Sequence, residues 1–247
     1  MYYSAIGMIA IAIFVIINHK IIKAGQNIDG AGGAYQKFIF TSLLYFVTDV
    51  MWGILSNLKL AALLYADTVI YYIAMALTVV FLCNYVIKYL ELQSAFGKFI
   101  KTFGYVFAAA EFVLLLINHF IPIFFRVYSD ATYQAFVYRY LALYMQVFLC
   151  LLLVIQTGIV MIGATGDIKK RYFTIFSFCL VMAAAIIAQI LYPLLPIYAV
   201  GLLIGGTIIH TFVNEGEKEE QLSILKSMAD INYSMHVIDL TRDEVIV

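Results

Sequence analysis

Seven apolar runs, each with few or no charges, dominate the chain: about 2–18, 38–57, 61–87, 103–125, 136–162, 173–192 and 194–213. A helix needs about 20 such residues to cross a hydrocarbon layer about 30 Å thick. The runs are continuous, whereas a membrane β-strand alternates polar and apolar positions. The pattern therefore predicts an all-α integral membrane fold, a bundle of seven transmembrane helices over residues 1–213. Small residues predict close helix contacts at Ala108-Ala109-Ala110, at Ala183-Ala184-Ala185 with Ala188, and at Gly201-x-x-x-Gly205. The Gly-rich stretch GQNIDGAGGAYQ between the first two runs reads as a flexible loop. It lacks the strand and the Gly-Lys-Ser/Thr ending of a phosphate-binding loop.

The pattern changes after Phe212. The polar stretch Asn214-Glu215-Gly216-Glu217-Lys218-Glu219-Glu220 leads into a stripe at Ile224, Met228, Ile231 and Met235, spaced 4, 3, 4. This is the seam of a short parallel coiled coil, or one face of an amphipathic helix lying on a soluble domain. Residues 214–235 are thus expected to form a cytoplasmic linker helix that pairs two copies of the chain. Residues 236–247, HVIDLTRDEVIV, alternate around Thr241-Arg242-Asp243 as a strand, turn and strand. A lone hairpin is marginal in water, so this segment is expected to be the first hairpin of a larger cytosolic domain, cut off here.

Composition agrees. Of 247 residues, 64% are apolar and 12% charged, with net charge zero; soluble domains carry about 25% charged residues. Nothing marks a nucleic-acid-binding surface. Cys83, Cys150 and Cys179 lie inside apolar runs without metal-ligand spacing, as buried free thiols do. No cofactor or metal is expected. The N-terminus lacks a basic segment and a cleavage site, so it reads as a retained span. Alternate loops hold Lys20, Lys23, Lys37, Lys88, Lys98, Lys101, Lys169, Lys170 and Arg171, nine basic residues against Lys59 and Arg126 on the other side. The positive-inside rule then puts the N-terminus outside and the C-terminus in the cytoplasm of a cell inner membrane.

Ionisable residues at membrane depth are costly and face a bundle interior or a cavity. At a rise of 1.5 Å per residue, Asp67, His119 and Arg139 come to roughly 5–10 Å below the outer end of their spans, and Asp49 and Glu111 to roughly 12–20 Å. With Trp52 and Tyr71 one turn from the two aspartates, and Asn118 seven residues after Glu111, they define a candidate ligand pocket in the outer half: Asp49, Trp52, Asp67, Tyr71, Glu111, Asn118, His119 and Arg139. Gln146 lies two turns below Arg139. Each has a structural alternative. The aspartates bond a neighbouring helix, Arg139 reaches to the headgroups, His119 and His210 are interfacial, and Trp52 is a belt residue. Tyr71, Tyr72 and Tyr144 are expected to line the core or the pocket, being too deep for an aromatic belt. Catalysis has no supporting motif among these residues. A retinal protein fails for want of a lysine in the last span. The absence of an inverted repeat weakens a transporter reading.

The stretches YFVTDVMWGIL (45–55), LLYADTVIYYIAMALTVV (63–80), YPLLPIYAVGLLIG (192–205) and HTFVNEGEKEE (210–220) resemble the seven-span N-terminal region of membrane diguanylate cyclases (GGDEF proteins) of gut Firmicutes. The resemblance implies a sensory input module that governs cyclic-di-GMP synthesis by a domain beyond Val247, and residues 236–247 resemble the opening of the PAS-like domain that sometimes lies between the two. The GGDEF signature itself is absent here, so no catalytic residue carries over. A histidine-kinase input region and a small polytopic transporter are the alternatives. If the seam pairs two chains, cysteines placed at Ile224 and Met228 cross-link between copies in native membranes. Failure of both, with a control site reacting, contradicts pairing.

Overall fold

The computed structural model describes residues 2–23, 30–91, 94–192 and 195–211. The expected linker with Ile224, Met228, Ile231 and Met235, and the hairpin at 236–247, lie outside the described residues. One compact unit is Met1–Ile208; of the second, Ile209–Val247, only the end of the last helix is described.

The elements are α1 (Tyr2–Lys23), α2 (Gly30–Asn57), α3 (Ala61–Tyr89), α4 (Ala95–Phe120), β1 (Phe125–Val127), β2 (Tyr133–Ala135), α5 (Val137–Ile162), α6 (Gly166–Leu191) and α7 (Ile197–Thr211). Among the described residues α1 to α6 are long and apolar enough to cross a membrane, and α7 is a shorter apolar helix. The outward faces are apolar as well: Ile16, Val106, Phe112, Leu116 and Ile159 are all exposed. Such surfaces are costly in water and are consistent with a multi-pass membrane protein.

Two boundaries differ from the expectation. The Gly-rich stretch is helical from Gly30 onwards. Tertiary contacts override the low helix propensity of its glycines: the Tyr35 hydroxyl donates to Asn18 Oδ1 at 3.2 Å, and Gln36 Nε2 donates to the Ile21 carbonyl at 3.2 Å. The fourth span does not run to residue 125. Pro122 disfavours helix at the residue before it, and Ile121 is extended (φ −131°, ψ 114°). The chain then forms the antiparallel hairpin β1–β2, with Phe125 paired to Ala135 and Val127 to Tyr133. Phe124 and Phe125 are fully buried within the fold.

α3 packs against α2, α4, α5 and β1. The turn from α2 to α3 is closed by Leu60 N–H donating to the Leu55 carbonyl at 3.1 Å, across Lys59 in the left-handed region (φ 56°). α7 runs against α1 and α6 by close approach. A Cβ on Gly201 would lie 2.3 Å from Ala185 Cβ, one on Gly205 2.3 Å from the Phe178 ring, and one on Gly206 2.8 Å from the Phe14 ring. The expected contact at Gly201-x-x-x-Gly205 is therefore made, with α6 supplying Ala185. Cys83, Cys150 and Cys179 are buried and free. Tyr144 is 55% exposed and does not line the core; its position on α5 turns it outward.

Gly201→Ala overpacks the α6–α7 contact, because Ala185 has no flexible end to yield. It lowers stability by about 1–3 kcal/mol in thermal unfolding of the detergent-purified protein. Gly163→Ala, which meets its first neighbour at 3.9 Å, serves as the neutral control.

Candidate functional site

Helical spacing sets up the site. On α2, Tyr45, Asp49 and Trp52 follow at intervals of 4 and 3 and share one face. On α3, Asp67, Tyr71 and Met75 follow at intervals of 4. Asp49 and Asp67 are buried, 1% and 9% exposed, and lie within electrostatic reach of each other. Asp67 Oδ2 has no hydrogen-bond partner among the described residues. Tyr71 stands within electrostatic reach of both Asp49 and Arg139. Its hydroxyl is 3.4 Å from that of Tyr45.

The hairpin closes this end of the bundle. Val127 and Ala131 pack on Leu55, Leu64 and Trp52 of the α2–α3 corner. The Tyr133 ring meets Trp52 edge-on at 5.8 Å, and its hydroxyl lies 2.6 Å from that of Tyr72. Burial pushes the Tyr133 phenol above its ordinary pKa, with the nearby Arg139 acting against the shift. The Arg139 guanidinium lies 5.9 Å from the centre of the Tyr133 ring and 5.5 Å from that of Tyr140, within cation–π range. At the tip, Asp130 accepts hydrogen bonds from the Thr132 N–H (2.9 Å) and hydroxyl (2.7 Å). Those bonds hold its carboxyl below the ordinary range.

Five of the eight expected residues come together here: Asp49, Trp52, Asp67, Tyr71 and Arg139. The other three do other things. Asn118 is buried and both ends of its amide are engaged: Oδ1 accepts from the N–H groups of Phe124 (2.7 Å) and Phe125 (3.1 Å), and Nδ2 donates to the Phe125 carbonyl at 3.1 Å. It clamps β1 to α4. His119 is exposed, its ring against Tyr65 and Phe120. Glu111 is buried, lines a groove between α3 and α4, and lies within electrostatic reach of Tyr198. Gln146 is buried with its amide unpartnered among the described residues.

The hairpin aromatic Tyr133 belongs to the site and was not anticipated. Its signal is the stretch FFRVYSDATYQAF, strand-like residues around a Ser-Asp turn. Tyr45 and Tyr198 belong too. Tyr198 on α7 is fully buried, packs against Tyr45 with ring centres 4.8 Å apart and planes tilted by 51°, and donates to the Met75 carbonyl at 3.5 Å. Its backbone N–H donates to Gln189 Oε1 at 3.0 Å. A side-chain path thus runs from Asp49 through Tyr71 and Tyr45 to α7.

No protein-family model matches this chain, and no curated protein matches it. Chemically, the site offers two carboxyl groups, one guanidinium and several phenols, groups complementary to a molecule with a cationic and an anionic end. The carboxylates would take an ammonium group, and the guanidinium a carboxylate.

Asn118→Ala removes three hydrogen bonds from the base of β1. It speeds amide exchange over 124–136 and costs about 1–3 kcal/mol of stability, read by hydrogen–deuterium exchange and thermal unfolding. Protection at 124–136 equal to that of the unaltered protein contradicts the clamp.

Proposed function

We propose that this chain is the membrane input module of a signalling protein. It crosses a cell inner membrane seven times, with its N-terminus outside and its C-terminus in the cytoplasm. A small polar or zwitterionic ligand enters from the outer side and binds among Asp49, Trp52, Asp67, Tyr71 and Arg139. The observation that carries this reading is the gathering of buried acids, phenols and one arginine under the β1–β2 hairpin, joined to α7 by the Tyr45–Tyr198 contact. A ligand shifts a two-state protein only by its differential affinity for the two states. Groups that belong to α2, α3 and α5 at once supply that difference when the helices move.

α7 leads into the acidic linker, and the change passes from there to an output domain in a dimer. The nine-to-two distribution of basic residues supports the orientation. The resemblance of four sequence stretches to membrane diguanylate cyclases supports cyclic-di-GMP synthesis as the output, with histidine phosphorylation as the alternative. A small ion-coupled transporter is favoured by a different observation, the succession of ionisable groups from Asp67 through Asp49 and Tyr71 to Tyr198 and Glu111. Ion-dependent uptake into proteoliposomes holding this chain alone would decide for it.

Asp67→Asn and Arg139→Gln each lower the response roughly ten- to a hundredfold, because each removes a charge-assisted contact. Membrane insertion is unchanged. The measurement is cellular cyclic-di-GMP in cells expressing the whole reading frame of the source DNA. Full response from both variants contradicts the pocket.

A further inference from the structure

Glu111 is not among the residues gathered under the hairpin, although it lies within electrostatic reach of Tyr198. Counted at 1.5 Å per residue, it lies about 14 Å from the nearer end of α4, so it is deep in the span. It is 2% exposed, and neither carboxyl oxygen finds a hydrogen-bond partner among the described residues. A polar group buried without a partner is costly, and a carboxyl group at membrane depth marks a function by default.

Glu111 is also among the residues that line a half-open groove of about 360 Å³ between α3 and α4, and its carboxyl oxygens are buried behind those walls. Ala76 and Leu77 form its α3 wall, and Tyr105, Ala109 and Phe112 its α4 wall. Tyr105 and Phe112 are 43% and 50% exposed, so they stand at a mouth that opens sideways from the bundle. In the proposed membrane setting, that mouth faces lipid. The volume falls in the range of small-molecule sites, about 300–1,000 Å³. The alanines keep the groove open where larger side chains would fill it.

We propose that this groove binds a lipophilic amine, a molecule with an apolar body and one protonated nitrogen, that enters from the bilayer. The nitrogen donates to Glu111 Oε1 and Oε2, and the body lies along Ala76, Ala109 and Phe112. Charge complementarity decides for an amine over a lipid acyl chain or a second copy of the chain. Either of those would cover the walls and leave both carboxyl oxygens unpartnered. The inference does not depend on the receptor pocket around Asp67 and Arg139.

The test uses the full chain in phosphatidylcholine nanodiscs with 1-naphthylmethylamine as a fluorescent probe and 1-naphthalenemethanol as its uncharged counterpart. The expected result is saturable binding of the amine, about tenfold or more tighter than the alcohol. Glu111→Gln brings the amine down to the affinity of the alcohol. Ala109→Leu, which fills the groove from an exposed position, abolishes both. Asp67→Asn changes neither. Partition without saturation, equal binding of amine and alcohol, or unaltered amine affinity in folded Glu111→Gln overturns the proposal. If Glu111→Gln fails to fold, unaltered amine binding by Ala109→Leu overturns it instead. Loss of amine binding in Asp67→Asn assigns the amine to the other site and overturns it as well.

Discussion

The close approach of α7 to its neighbours is the constraint on which the rest depends. Without side chains at Gly201, Gly205 and Gly206, the α7 backbone fits against Ala185, Phe178 and Phe14. In an apolar solvent there is no hydrophobic drive between helices, and such packing is what holds them. The fit has a consequence for the polar groups. Tyr198 comes to rest at 0% exposure against Tyr45, with its hydroxyl on the Met75 carbonyl and its N–H on Gln189. A ring so fixed on every side couples α7 to α2, α3 and α6 in one packed unit, because close-packed interiors have discrete arrangements and little compliance.

The site at the hairpin end follows from the same economy of partners. Buried acids on α2 and α3 lie among phenols of the same two helices and a guanidinium from α5, and the hairpin brings Tyr133 and the start of α5 over them. Asn118 makes this possible by taking up the backbone groups of Phe124 and Phe125 that Pro122 removes from helical bonding. Buried backbone groups need such partners. The hairpin is thus a direct result of where one proline and one asparagine fall at the end of α4.

Much of this was legible in the residues. The apolar runs located the helices, because hydrophobic length is a strong signal. Asp49, Asp67 and Arg139 stood out because a charge in such a run has few reasons to be there. The hairpin was hidden, since Ile121, Ile123, Phe124 and Phe125 read as more of the same span. The early start of α2 was hidden too, since only contacts from Tyr35 and Gln36 back to α1 offset the glycines. Glu111 shows a different kind of limit. Counting residues along a helix fixes depth and leaves direction around the bundle open. Glu111 and Asp49 share a depth by that count, yet the structure puts the first on a groove between α3 and α4 and the second under the hairpin. Asn118 had the right face but was occupied by backbone.

The central claim is that the charged site and α7 form one coupled unit, as the proposed input module requires. Hydrogen–deuterium exchange across Ile197–Thr211, in nanodiscs, tests it most directly when the protein is compared with its Asp67→Asn and Tyr71→Phe variants. The account predicts altered protection in α7 in both, although neither change touches that helix covalently. Altered exchange confined to α2 and α3, with α7 identical in all three proteins, would contradict it.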